Sequence, residues 1–422
     1  MTQEPNENGN SPKIIRYRSR TRILSHQQAD VEAHFDPIPP VLEHPLVPSH
    51  EPVLIRTKSD LQQLIADLQT ARQFGYDSEF IGEHSYYPKL CLIQVSTVEQ
   101  VSIIDTQADL DLMPFWDLLA DPDTQTIVHC GLQDLEPVWR HLGRTAQSII
   151  DTQVAAAFTG LVYPCGLARL VQDLLGADLG REMKFTQWDQ RPLSSRQIQY
   201  AANDVRYLPA LWAIITQKLD DCGNTNWALE ECRSLSDQDL YRFNPDALCR
   251  RMQGTERMTP TRLRLLRELI CWREEAAREQ DVPPRTLVKD RVLADLARFP
   301  VHTIDDLDGR RGFPRPIKRF YGRAIVTRTQ TALNHHDAAP RRRHPPVLPD
   351  LRAALDSLWE SLKRRCEERK IDPTILTNKR ELAYHLHTLD HGHHIDPLET
   401  TRLDRGWRKQ FLPPTLDEWQ RR

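Results

Sequence analysis

The sequence predicts a mixed α/β domain, one sheet with helices on both faces, followed by two small all-α modules. Three observations carry that expectation. Strand candidates at 75–80, 90–96 and 101–105 follow one another with connections too short for a parallel crossover, which indicates an antiparallel meander. After them, strand-length apolar segments alternate with helical ones, the pattern of a mixed sheet covered on both faces. Beyond Asp220 no segment reads as a strand. The length of 422 residues is itself too great for one ordinary domain, and 39% apolar residues suffice for globular cores.

The elements follow in order. Residues 1–50 are polar and proline-bearing and read as a disordered N-terminal tail that becomes an extended lead-in. Val53–Ile55 is a short strand. Ser59 is a candidate N-cap for a helix through Leu61, Leu64, Ile65 and Leu68, which recur at helical spacing. After the meander come a helix around 115–119, a strand at 127–130, a helix through 132–142 and a strand at 148–151, then helix to about Leu219. The α/β domain is thus expected over 51–220 and a connecting helix within 221–250. A first helical module, with amphipathic 263–278, is expected over 251–333, a polar, proline-bounded linker over 334–347 and a second module over 348–415.

Charge separates these parts. The whole chain carries −3, but residues 51–220 hold 13 Lys/Arg against 22 Asp/Glu, and residues 251–345 hold 21 against 12. An acidic unit followed by a basic one suits metal-dependent catalysis joined to a grip on a polyanion. The eight cysteines form no CxxC pair, so neither a zinc ribbon nor a redox motif is indicated, and reduced thiols in the cytoplasm are expected. The polar N-terminus lacks the apolar core of a signal peptide, and no apolar run is long enough to span a bilayer. No GxSxG and no paired Cys–His context supports a serine or cysteine hydrolase.

The chemistry concentrates in five residues. Asp77 and Glu79 lie two apart in a strand and so share a face, while Tyr76 and Ser78 point the other way. Two carboxylates on one face repel unless a cation stands between them, and the flanking Phe74, Tyr76 and Phe80 argue against a fully solvated edge. Asp134, in His129-Cys-Gly-Leu-Gln-Asp134, sits at a helix start, where an acid also serves simply to offset the dipole. Tyr200 and Asp204 are four apart on one helix and share a face, which a solvated surface would also explain. Together the oxygens suit two Mg²⁺ or Mn²⁺ ions, which would activate a water and stabilise a leaving 3′-oxygen. The Tyr200 hydroxyl could orient that water. Cys130 reads as a small buried strand residue. The histidines at 385, 387, 391, 393 and 394 have no cysteine close by, and no metal site is expected there.

At these residues the chain resembles a family. The segments Tyr76-Asp-Ser-Glu79, Leu92-Ile-Gln-Val95, His129-Cys-Gly-Leu-Gln-Asp-Leu135, Trp188-Asp-Gln-Arg-Pro-Leu193 and Gln199-Tyr-Ala-Ala-Asn-Asp-Val205 are similar to ribonuclease D, the tyrosine branch of the DEDD 3′→5′ exonucleases. The resemblance covers about residues 53–215. It implies a ribonuclease H-like fold with a five-stranded mixed sheet. It also implies that Asp77, Glu79, Asp134 and Asp204 are metal ligands and that Tyr200 holds the nucleophilic water. Ile150-Asp-Thr-Gln153 also matches the pattern, with Asp151 either supporting the site or capping the next helix. Trp188 and Arg191 fall next to the site in such enzymes and could meet the RNA 3′ end or, equally, serve as structural anchors.

The segment around Leu269–Arg278, continued by 290–297 and 320–322, resembles the HRDC module, and 348–410 resembles a second one more weakly. Such modules bind nucleic acid. Arg262, Arg264, Arg267, Arg310, Arg311, Arg315, Lys318 and Arg319 could supply phosphate contacts. The implied activity is hydrolytic 3′→5′ trimming of RNA with a free 3′ end, tRNA precursors and small structured RNAs included, with release of nucleoside 5′-monophosphates. No obligate protein partner is evident. Preference for DNA, or a non-catalytic RNA-binding scaffold, are the rival readings.

Overall fold

The computed structural model describes residues 39–180, 183, 186–255, 258–334, 349–390 and 401–412. Most of the expected tail, the linker and the histidines beyond 390 lie outside them. The described chain forms two compact units. One comprises Asp36–Phe80, Leu90–Arg242 and His344–Arg422; the other comprises Ile81–Lys89 and Phe243–Arg343.

The first unit is built on a sheet. Its elements are β1 (Val53–Ile55), α1 (Lys58–Ala71), β2 (Gln73–Ile81), β3 (Lys89–Ser96), β4 (Val101–Asp105), α2 (Met113–Leu119), β5 (Gln125–Val128), α3 (Glu136–Leu142) and β6 (Ile149–Asp151). Helices α4 (Thr152–Ala156), α5 (Leu167–Leu175), α6 (Ser195–Arg206), α7 (Leu208–Cys222) and α8 (Thr225–Arg233) follow. The sheet has six strands in the order β1-β4-β3-β2-β5-β6, not the five that the family resemblance implied. The extra strand is the short β1, which pairs parallel with β4 from Val53 opposite Ser102 to Ile55 opposite Ile104. β3 and β4 are antiparallel, while β2, β5 and β6 run parallel, so the sheet is mixed.

Local sequence sets the boundaries. Thr57, not Ser59, caps α1: its hydroxyl accepts the Asp60 N–H at 3.2 Å. Leu61, Leu64, Ile65 and Leu68 of α1 then bury against Phe74, Ile93, Phe115 and Trp116 in one core. The predicted connecting helix ends early, at Arg233, and two 3₁₀ turns follow. The lead-in is ordered from residue 39 on: Val47 is buried, and the Arg206 guanidinium donates to the carbonyls of Pro48 and His50.

In the second unit, α9 (Pro245–Arg251), α10 (Pro260–Gln280), α11 (Pro284–Leu287), α12 (Asp290–Arg298) and α13 (Arg315–Asn334) enclose a separate core around Leu266, Leu269, Trp272, Leu293 and Ile325. Buried Arg273 pairs with Asp290 at 2.7 Å and donates to the Val288 carbonyl at 2.9 Å. Tyr86 packs against this core. Its N–H donates to Asp281 at 3.1 Å, and the Arg278 guanidinium lies over its ring.

The C-terminal helices, expected as a module of their own, belong to the sheet-bearing unit. They are α14 (Pro349–Glu368), α15 (Pro373–Leu376), α16 (Lys379–Asp390) and α17 (Gly406–Phe411). Arg408 is one of the residues that join them to it. Its guanidinium, 8% exposed, forks onto both Glu231 carboxylate oxygens of α8 at 2.6 and 2.7 Å. It also donates to the carbonyls of Ile375 and Leu376, and the Trp407 indole N–H donates to the same carboxylate. Removing one partner of such a pair strands the other charge. Glu231→Ala should therefore destabilise the C-terminal segment by about 3–5 kcal/mol. Limited proteolysis beyond residue 349 checks this, and a cleavage rate equal to wild type would contradict it.

Candidate active site

β2 carries the first two acids. Asp77 and Glu79 are half-buried on a strand whose neighbours Tyr76 and Ser78 are fully covered. α6 brings Tyr200 and Asp204, also half-buried. Its start is fixed by a capping box in which the Ser194 hydroxyl accepts the Gln197 N–H and the Gln197 side chain returns to the Ser194 N–H. Close approach of α6 to the sheet depends on Gly75. A Cβ there would stand 2.6 Å from the Ser96 hydroxyl and 3.1 Å from the Val205 carbonyl. Ser96 uses that hydroxyl to hold the same carbonyl at 2.6 Å, one residue beyond Asp204.

Asp134 is not on a helix. α3 starts only at Glu136, with Pro137 in its first turn, and Asp134 lies in the turns that run from Gly131 to Leu135. Two residues missed by the strand-alternation argument hold it there. Ser78 donates its hydroxyl to Asp134 Oδ1 at 2.6 Å, and the Tyr76 hydroxyl donates to the Asp134 backbone carbonyl at 2.7 Å. Both were expected simply to face away from the acids. The available signal was Ser78 itself, a small polar side chain inside a buried strand, which needs a partner. Cys130 is corrected too. It lies past the end of β5, is exposed, and adopts a left-handed φ of 59°.

The four acids influence one another. Burial pushes the Asp77 carboxyl well above the usual carboxylate range, and the charges of Asp134, Asp204 and Glu79 push it further. Glu79 is pushed up to about 8, by burial first and by Asp134 second. Asp134 is raised by burial, against the pull of the Ser78 hydrogen bond. Among the described residues, no group of three or more His, Cys, Asp or Glu side chains stands, as placed, where it could hold a metal ion. Carboxylates at short range push apart, and Asp134 commits Oδ1 to Ser78. An all-oxygen, half-buried, mutually repelling set fits a hard divalent cation, which would relieve the repulsion that raises Asp77.

Of the two readings open for Trp188 and Arg191, the contacts made inside the protein favour the structural anchor. Trp188 is 4% exposed, and its ring packs 6.1 Å from that of Tyr200. Arg191 is a structural clamp. It forks onto Asp105 at 2.6 and 2.8 Å and donates to the carbonyls of Cys91, Trp188 and Gln190. Although burial pulls the Asp105 carboxyl up, the Arg191 bonds outweigh it and hold the group below its ordinary range. In the helical unit, Lys318 is bound to Asp305 and Asp308, Arg267 to Asp246, and Arg264 to the Ala332 carbonyl. Arg311, Arg315 and Arg319 are exposed, and Arg319 lies over the exposed Phe320 ring.

Residues 52–220 match the 3′-5′ exonuclease family and residues 262–327 the HRDC domain. Ribonuclease D of Desulfotalea psychrophila is 32% identical, over 85% of this chain and 96% of that protein. The chain belongs to the ribonuclease D family. Ribonuclease D of Cronobacter turicensis is 30% identical, over 86% of this chain and 98% of that protein. The crystal structure of Escherichia coli RNase D, described as an exoribonuclease involved in structured RNA processing, superposes with a TM-score of 0.74 at 27% identity. That match covers 88% of this chain and 99% of the other. Membership in the ribonuclease D family makes the chain a hydrolase of the 3′-5′ exoribonuclease class, dependent on divalent metal.

Proposed function

We propose that the protein trims structured RNAs, tRNA precursors among them, from a free 3′ end in the cytoplasm and releases nucleoside 5′-monophosphates. Asp77, Glu79, Asp134 and Asp204 hold two divalent cations, Mg²⁺ or Mn²⁺. The observation that carries this reading is the convergence on Asp77 of Glu79 from β2, Asp204 from α6 and Asp134 from the turn before α3, whose charges add to burial in raising the Asp77 carboxyl. A cluster this repulsive is stable in its ionised form only around cations.

When bound, the ions would supply a hydroxide-like nucleophile and charge neutralisation at the scissile phosphate. The protein's own groups do the positioning. Tyr200, braced by the Trp188 ring, hydrogen-bonds the attacking water. The water oxygen forms the new bond to phosphorus, the bond from phosphorus to the 3′-oxygen breaks, and that oxygen leaves with a proton. The exposed arginines Arg311, Arg315 and Arg319 of the helical unit contact phosphates of the RNA body.

The test is trimming of a 3′-labelled RNA and a matched DNA with and without EDTA. Mononucleotide release from RNA that EDTA abolishes is the expected result. Preferential release from DNA, or chelator-insensitive binding without release, would overturn the reading. Tyr200→Phe should slow the chemical step about 10²-fold or more and leave cation binding intact. A variant whose cation affinity falls with its rate would contradict the role given to Tyr200.

A further inference from the structure

Asp151 is a fifth acid at this centre, and its environment differs from that of the other four. It is 3% exposed and receives four backbone N–H groups. Oδ1 accepts from Gln153 at 2.9 Å and Val154 at 3.4 Å, which caps α4. The same oxygen accepts from Cys130 at 3.0 Å, and Oδ2 accepts from Gly131 at 3.2 Å. Both oxygens of this carboxylate are thus committed to the backbone, Oδ1 three times and Oδ2 once.

The segment it grips needs gripping. Cys130 holds a left-handed backbone without being glycine, a conformation that persists only where neighbours enforce it. At Gly131 a Cβ would stand 2.5 Å from the Val128 Cβ, so the chain turns back tightly on β5. The residue after the clamp adds to it. Thr152 donates to the Val128 carbonyl at 3.0 Å and lies 2.9 Å from His129 Nδ1. The opposite ring nitrogen, Nε2, donates to the Cys165 carbonyl at 2.9 Å. From this fixed turn, the Leu135 N–H closes back onto the Gly131 carbonyl at 3.1 Å, and Asp134 is set inside that loop.

We propose that Asp151 is a positioning residue for the catalytic centre: by holding the N–H groups of Cys130 and Gly131 it determines where the Asp134 carboxylate stands. This rests on the reading of Asp134 as a cation ligand. Capping α4 and setting the turn are separable tasks. Serine caps a helix nearly as well as aspartate but presents one short oxygen that cannot also reach the turn. Asp151→Ser therefore keeps the cap and releases the clamp.

The experiment is Mn²⁺ binding to the full chain, by calorimetry and by the electron paramagnetic resonance of free Mn²⁺. It compares wild type, Asp151→Ser, Asp134→Ala and the double variant. Asp151→Ser should bind Mn²⁺ about 10- to 100-fold more weakly, the usual size for loss of a group that orients a ligand. In the Asp134→Ala background the same change should have no further effect, because the clamp acts through Asp134. Wild-type affinity in Asp151→Ser, or an equal loss in both backgrounds, would overturn the proposal. Should Asp151→Ser fail to fold, Asp151→Asn carries the same comparison, since its carboxamide keeps the cap but turns an N–H₂ against the Gly131 N–H. Wild-type protein that takes up no Mn²⁺ would overturn the cation reading itself, which is distinct from wild type binding and Asp151→Ser binding equally well.

Discussion

Asp77→Ala should lower the rate of RNA trimming by roughly 10³-fold or more, while RNA affinity stays within about twofold of wild type. Asp77 is the carboxyl that burial and the charges of Asp134, Asp204 and Glu79 all raise, so it stands at the middle of the cluster. Electrostatic stabilisation of a developing charge is worth several kcal/mol, and each 1.36 kcal/mol is about a factor of ten in rate. Binding rests elsewhere, on phosphate contacts that need no cation cluster. Asp204→Ala should behave the same way, because Gly75 and Ser96 bring that end of α6 against β2. Single-turnover trimming and filter binding on one RNA separate the two quantities. Ordinary turnover in either variant, or a parallel loss of affinity, would count against the assignment.

The architecture was legible where a residue's neighbours along the chain decide its state. β4 falls at 101–105, where the sequence places it, and every one of its residues is buried. α10 was readable from the amphipathic spacing over 263–278. What could not be read depends on partners distant in sequence. Ser59 and Thr57 are equally good caps on paper, and only the backbone turn at Thr57 selects between them. Leu132 reads as the start of a helix, yet the left-handed Cys130 and Pro137 delay it to Glu136. The independence of the C-terminal helices was inferred from the proline-rich linker, and a linker says nothing about where the chain beyond it docks. Glu231 and Arg408, 177 residues apart, are among the residues that decide that.

The same reasoning explains the site. Asp77 and Glu79 lie on β2 and Tyr200 and Asp204 on α6, as their local signatures indicate: two acids on one strand, and tyrosine and acid one helical turn apart. The supports of Asp134 have no such signature. Ser78 and Tyr76 reach it from the covered side of β2, and Asp151 reaches its turn through main-chain N–H groups that carry no side-chain identity. For Trp188 and Arg191 the sequence left open a contact with the RNA 3′ end or a structural anchor. Their residue types suit nucleic acid, but Asp105 and the surrounding carbonyls claim the guanidinium first.

Chelated protein should become less stable as pH rises from about 5 to about 8, and divalent cation should remove that loss. Glu79 has an ordinary value of 4.5 and stands at about 8 in the folded chain. Between those values the folded state holds a proton that the unfolded state has released. Stability then falls as pH climbs through the window and levels off above it, because the unfolded state binds fewer protons. Asp77 and Asp134 are raised as well and act in the same direction. Cations reverse the trend by favouring the ionised carboxylates, and binding to the folded state alone adds stability by mass action. The measurement is the melting temperature across that range in EDTA and in Mg²⁺, for wild type and Glu79→Gln. The difference between the two proteins isolates Glu79 from every other titrating group. In EDTA wild type should lose on the order of 5 °C relative to Glu79→Gln between the ends of the range. In Mg²⁺ that relative loss should disappear. A wild-type protein that gains stability toward pH 8 in EDTA would mean that the carboxylates do not crowd one another, and the physical case for cations among them would go with it.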